Sequence, residues 1–453
     1  MRFSRTARRG LATVAFTSSV ALMAAGCSAG SLGSSSDAGS GSSAGGGAVT
    51  ITYLIPNDDA TAAQTKAVIS AFQAANPGIT VNTDTRPGGT DGDNIIKTRL
   101  ATGDMAEVFQ YNNGSLLQAI KPEQNLTALD DQPWAGQLDD DFAASSKGTD
   151  GKLYGGPIGT AFGGGVLYNI PVYKKLGLTV PKTWDEFMAN SKKIKDAGGV
   201  DPVEQTYGES WTSQLFVLGD YANVEAAVPD FATKYTANQA GYANTPAALA
   251  GFEHIQQVKE AGYLNKDFAS ATLNDGMKAV AEGTAAQYPQ LGGSAANIEN
   301  VAPGKTNDVG MFALPGNDPA SNNLTVWPGT SALYIPKSAE GDKLDAAKKF
   351  LTFVTTQQGC DAAISGAPPQ GPFLSKACTL PSTVSQVAKD TQAYFDAGHV
   401  TPALEFKSPV KGPNLEQICI QVGTGQETAA QAAALYDKDV KKQAQQLNLP
   451  GWD

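Results

Sequence analysis

The sequence predicts an α/β protein built around a parallel sheet. Two observations carry that expectation. Early in the folded part, β-branched stretches alternate with amphipathic ones in the order strand, helix, strand, helix, strand. Later segments show helix start and stop signals at helical lengths, with no internal repeat between them.

The stretch VTITYLI (49–55) is rich in β-branched residues and reads as the first strand. TAAQTKAVISAFQAANPG has a helical apolar rhythm at Ala67, Val68, Ala71 and Phe72, and stops at Asn76-Pro77-Gly78. ITVNTDT is a second strand, DNIIKTRLATGD a second helix ending near Gly103, and AEVFQY a third strand. Crossover helices of this kind join parallel strands, and ligands gather at the carboxyl ends of such sheets. Those ends are the polar PNDD (56–59) and YNNG (111–114). Further on, Thr183 and Glu186 stand in capping-box spacing ahead of a helix that a Gly-Gly pair stops. LDAAKKFLTFVTTQQG is another amphipathic helix. Thr424 and Glu427 have capping-box spacing before a long final helix ending near Leu447.

The 453 residues suffice for two or three domains or one large two-lobed body, and 41% hydrophobic content allows a large core. The N-terminus reads as a leader (1–26). A basic stretch, MRFSRTARRG, precedes an apolar run (11–25) too short to span a bilayer comfortably. The pair Arg8-Arg9 leaves twin-arginine export open beside the ordinary secretory route. AAGCSAG follows, and small residues before Cys27 resemble a bacterial lipobox, with Ala24 where the pattern usually has Leu. Lipidation of Cys27 is the expectation; an ordinary cleavage site beside an incidental Cys is the alternative. Residues 28–47 are a Gly/Ser tract that cannot bury enough surface to fold. As a coil they reach roughly 25 Å, so residues 27–48 read as a leash holding the protein to the outer face of the cell membrane.

Charge and cysteine usage narrow the function classes. The net charge is −11, and beyond the leader 29 basic side chains face 44 acidic ones, about −15. An acidic body repels phosphate backbones, which argues against nucleic acid as a partner. Outside the cell two of Cys360, Cys378 and Cys419 are expected to pair. Proximity favours Cys360 with Cys378, and Cys378 with Cys419 stays open. No Cys-x-x-Cys occurs, so no thiolate metal site is expected.

Six segments carry a family resemblance: FQAANPGITV, RLATGDMAEVF, DGKLYGGPIG, GVLYNIPVYKKLGLTVPKTWDEF, MKAVAEGTAAQYPQLG and AAKKFLTFVT. In this order and spacing they resemble the extracellular solute-binding proteins of ABC importers, above all the carbohydrate-binding group that includes maltose-binding protein. The resemblance implies a two-lobed periplasmic-binding-protein-like fold of type II, its lobes joined by a hinge of several crossings. Lobe I would hold 49–157 and 326–370, lobe II 158–325 and 371–453. It further implies a monomer without catalysis or cofactor, which binds a sugar of one or a few rings and delivers it to ABC permease subunits.

Matching positions name the site. Polar residues after the first strand would be Asn57 and Asp58; an aromatic and amides after the third would be Tyr111, Asn112 and Asn113. YGGPIG resembles the first hinge crossing, with Thr160 and Phe162 beyond it. GESW matches the segment where the family places a carboxylate and a stacking aromatic, here Glu209 and Trp211. TVWPGTS resembles a second crossing near Trp327, and GAPPQGPF a third near Gln370. After GTAA, where many relatives have Gly followed shortly by Trp, this chain reads QYPQLGGSAAN; Tyr288 or Gln290 would substitute.

The surroundings of Trp211 suit that role. Glu209, Ser210, Thr212 and Ser213 flank it where a core strand would be apolar. An indole covers the C–H face of a pyranose with rigid apolar area, and a carboxylate accepts charge-assisted hydrogen bonds from its hydroxyls. A core-packed Trp211 with Glu209 as a cap is the competing expectation. Turn and cap roles compete equally for Asn57, Asp58, Asn112 and Asn113.

A secreted carbohydrate hydrolase is the alternative function. It needs two carboxylates flanking the bond, and no paired motif stands out. His254 sits in a helical pattern without a second His four residues away, and His399 reads as a loop residue; neither accompanies a G-x-S-x-G. No P-loop is present. A surface scaffold would show repeats, and none occur.

Overall fold

The computed structural model describes residues 48–329 and 331–453. The leader, Cys27 and the Gly/Ser tract lie outside the described residues.

The first three strands form as the sequence pattern predicts: β1 (Val49–Pro56), β2 (Ile79–Arg86) and β3 (Val108–Asn112). β1 pairs in parallel with both, Val49 opposite Ile79 and Tyr53 opposite Val108. The helix Asp59–Ala75 crosses between β1 and β2 and buries Val68, Ile69 and Phe72, one helical face. Asp58 caps it by accepting from the Thr61 N–H at 2.9 Å. The helix Gly89–Thr102 crosses between β2 and β3 and ends on Gly103, whose φ of +76° suits a left-handed cap.

Six more strands build a second sheet. They are β4 (Phe162–Asn169), β5 (Asp201–Val203), β6 (Ala285–Leu291), β7 (Val309–Ala313), β8 (Leu324–Trp327) and, after β9 (Ser331–Tyr334), β10 (Val400–Pro402). β9 belongs to the first sheet, antiparallel to β3, which gives the order β2-β1-β3-β9. The second sheet runs β10-β8-β4-β6-β5, with β7 on the far half of β4.

Each sheet holds its own core. Around the first, Tyr53, Phe72 and Phe350 interlock, with Phe72 edge-on to Phe350 at 5.1 Å. Around the second, Trp184, Phe187, Phe216 and Tyr436 anchor another cluster. Among the described residues the chain passes between sheets three times. It leaves the first before β4 and returns between Trp327 and Ser331. Leu374 still packs in the first core and Ser375 still bridges Leu138, so the third passage follows them, later than residue 370. Interleaving of this kind is what a two-lobed hinged fold requires.

The Thr183–Glu186 capping box is present in both directions. The one expected at Thr424 and Glu427 is not. A helix, Leu415–Thr424, ends there, and the Thr424 hydroxyl donates back to Ile420 O at 2.8 Å. The box that starts the final helix, Ala429–Gln446, joins Thr428 and Gln431, four residues later. Cys360 is bonded to Cys378, with 6.3 Å between their Cα atoms, and Cys419 is buried and free. His254 stacks on Trp184 at 3.7 Å between centroids, and burial lowers it to about 3, so it is a core imidazole.

Candidate functional site

A cleft of about 330 Å³ opens between the two sheets. That is near the lower end for small-molecule sites, about 300–1,000 Å³. Its first wall is made by the carboxyl ends of the parallel strands. Asn57 and Asp58 follow β1, Arg86 to Gly89 close β2, and Gln110 and Asn112 end β3.

Arg86 is the best-fixed group on this wall. It is buried, and its Nη1 and Nη2 donate to Pro87 O at 3.0 Å and Gln110 O at 3.1 Å. Its guanidinium lies over the Tyr111 ring at 5.7 Å. Burial lowers the Arg86 pKa and raises that of Asp93; each charge partly offsets the effect on the other.

The second wall comes from segments far apart in sequence. Glu209, Trp211 and Gln214 lie on one turn. The Glu209 Oε1 accepts from the Leu273 N–H at 2.9 Å, at the start of the helix Leu273–Glu282; Oε2 faces the Trp211 indole N–H at 3.4 Å. Trp211 is half-buried, and its ring stands 3.6 Å from where a Cβ on Gly88 of the opposite wall would lie. Glu416 accepts from the Ser210 hydroxyl at 2.6 Å and approaches Gly89, whose φ of +64° and missing side chain leave room for it. At the base, the Trp327 indole N–H donates to Glu405 Oε1 at 2.6 Å, and Lys411 donates to Glu405 Oε2 at 3.0 Å. Trp327 lies flat on β4 because Gly164 has no Cβ, which would stand 2.1 Å from the ring.

Asn57, Asp58, Asn112, Thr160, Phe162, Glu209, Trp211, Trp327 and Gln370 all line the cleft. Trp327 nevertheless is 1% exposed, so it forms the floor more than a free stacking face. Gln370 has both ends of its amide engaged, with Pro368 O and the Ser385 hydroxyl.

Four expected residues are elsewhere. On β3 side chains alternate between faces; Gln110 and Asn112 reach the cleft, whereas Tyr111 and Asn113 point the other way. Tyr111 is fully buried in the first core, and Asn113 donates to the Ser145 hydroxyl at 2.9 Å. The same parity places Tyr288 and Gln290 inside the second lobe, where Gln290 Nε2 donates to the Tyr288 hydroxyl at 3.1 Å. Neither substitutes for the missing Trp. That wall is made of Leu291, Gly293, Ser294 and Asn297, and Asn297 Oδ1 accepts from the Ala60 N–H across the cleft at 2.9 Å.

This two-sheet architecture with a ligand-sized cleft matches known proteins. The family model described as bacterial extracellular solute-binding protein matches residues 57–359. The chain belongs to that family. It is 27% identical over 313 residues to the multiple sugar-binding protein of Streptococcus mutans serotype c, covering 68% of this chain and 71% of the relative. Its fold is similar to the solved chitin oligosaccharide binding protein, with a TM-score of 0.75 and 22% identity over 88% of this chain and 99% of that one. RafE in complex with raffinose gives 0.70 and 19%, over 88% and 99%.

In this solute-binding protein the charges of the cleft are unequal. Among the described residues, Asp58, Asp93, Glu209, Glu405 and Glu416 line it against Arg86 and Lys411. Sequence reading missed Arg86, Asp93, Gln214, Glu405, Lys411 and Glu416. Only Arg86 had a usable signal, its place at the carboxyl end of a parallel strand. Among the described residues no helix is long and apolar enough to cross a membrane, and no group of metal ligands is assembled.

Proposed function

We propose that this protein captures a neutral sugar of one or a few rings outside the cell and hands it unchanged to an ABC permease. One observation carries the reading: a half-buried indole, Trp211, lines a cleft whose remaining wall is crowded with hydrogen-bond acceptors. A pyranose offers the complement, an apolar C–H face and a rim of donating hydroxyls. The sugar-binding relatives support this choice of ligand class. Lipidated Cys27 would hold the protein at the membrane while the Gly/Ser leash lets it turn toward the permease.

A thermal-shift screen against neutral mono-, di- and trisaccharides tests the reading. A sugar at 100 times its dissociation constant raises stability by about 2.7 kcal/mol. No shift with any sugar at millimolar concentration refutes the proposal. Recovery of the sugar intact separates it from a hydrolase, which returns cleaved product. Cys27→Ala sheds folded protein into the medium if the anchor is lipid; full retention on the cell refutes the anchor.

A further inference from the structure

We infer that Gln214 and Arg86, one from each lobe, determine which sugar the cleft accepts by reading the orientation of its hydroxyls. This rests on the sugar reading above and extends it to two residues that no sequence motif singled out.

Folded proteins pair nearly all buried polar atoms, so each exception calls for a use. Gln214 is 7% exposed and lines the cleft, and its Oε1 is buried with no hydrogen-bond partner among the described residues. Arg86 is 4% exposed and lines the opposite wall, and its Nε is likewise buried and unpartnered. The rest of the guanidinium is held in place by Pro87 O and Gln110 O, so the free N–H is a fixed donor.

The two orphaned atoms have opposite senses. The first lobe offers a donor and the second an acceptor. An ammonium ligand could answer only the acceptor, and the lining carboxylates Asp58, Asp93, Glu209, Glu405 and Glu416 repel a carboxylate ligand. A hydroxyl both donates and accepts, so a polyol ring satisfies the two walls together. An epimer that turns one of the relevant hydroxyls away leaves its partner atom buried and unpaired, and sites built to bond a hydroxyl reject analogues lacking it strongly.

The test is titration calorimetry of the full-length protein with D-glucose, D-galactose, raffinose, N,N′-diacetylchitobiose and xylobiose. The wild-type protein binds at least one and discriminates among them. Gln214→Leu weakens that binding at least tenfold and flattens the preference, while the melting temperature stays level or rises, because nothing in the protein donates to the lost oxygen. Gln214→Met, closer in shape, gives the same result and replaces the leucine variant should that fail to fold. Arg86→Lys keeps the charge, loses the fixed Nε–H, and flattens the preference in the same way. Gln214 and Arg86 variants that bind within twofold of wild type, with the preference unchanged, overturn this inference and leave the sugar reading standing. A wild-type protein that binds none of the five sugars overturns both.

Discussion

Replacing Trp211 by alanine separates ligand contact from core packing within one experiment. The indole is half-buried, leaning on the cluster that contains Leu273 and turning its remaining face to the cleft. An aromatic side chain buries about 150–250 Å² when fully covered. If roughly 80 Å² of this ring is covered by a sugar, ~25 cal/mol per Å² gives about 2 kcal/mol. Affinity then falls about 30-fold. Trp211→Phe recovers part of it, since a smaller ring still covers one sugar face. Trp327 is the internal control. It is 1% exposed over Gly164, so Trp327→Ala costs about 3–5 kcal/mol of fold stability. Calorimetric titration with a sugar found in the thermal-shift screen, beside melting curves of all three variants, reads both effects. A Trp211→Ala variant that melts as early as Trp327→Ala with unchanged affinity refutes the ligand contact, because Trp211 would then be a core residue.

Three further outcomes follow from burial, covalent linkage and charge. Burial raises Asp220 and Glu204 to about 8, so the folded protein keeps protons that the unfolded chain releases near its ordinary carboxylate pKa. Their contribution is fully present in acid and is lost as pH rises from about 4 to about 8; Asp220→Asn therefore raises the melting temperature at pH 8 and leaves it level near pH 4, and an unchanged difference between the two pH values refutes this. The Cys360–Cys378 bond closes a loop of 18-residue separation, so Cys360→Ser with Cys378→Ser lowers stability by about 3 kcal/mol in denaturant unfolding; equal midpoints for variant and parent count against it. Five carboxylates against two cations around the cleft disfavour anions, so the uronate counterpart of a bound sugar binds more weakly, and more so at low salt than at high; equal affinity at both ionic strengths refutes the charge argument.

The hinge shows where local reading stops. YGGPIG and TVWPGTS mark two passages between lobes, and both lie where the sheets exchange the chain. The third falls after Ser375, not at Gln370, because Leu374 and Ser375 are still held by the first lobe through packing and a bridge to Leu138. Nothing local in GAPPQGPF reports contacts made to a strand-like segment more than two hundred residues earlier. The misplaced capping box has a similar cause. Thr424 and Glu427 have the right spacing, but Gly425 takes a left-handed φ of +80° and ends one helix before the next begins at Thr428.

Periodicity and end signals in the chain alone determined the α/β class, the first three strands with their crossover helices, and the polar strand ends that face the cleft. These are short-range properties, set by side-chain spacing and backbone preference within a few residues. The segment GESW likewise announced a carboxylate beside an indole, and both reach the cleft. Only the tertiary structure decided which alternate residues of β3 and β6 turn inward, since a period of two does not say which face meets the cleft. It turned Tyr111, Asn113, Tyr288 and Gln290 away and sank Trp327 into the floor. It also gathered Arg86, Gln214, Glu405, Lys411 and Glu416, drawn from distant stretches of the chain, around one space of about 330 Å³. Their meeting depends on long-range packing of two lobes, which no local pattern encodes.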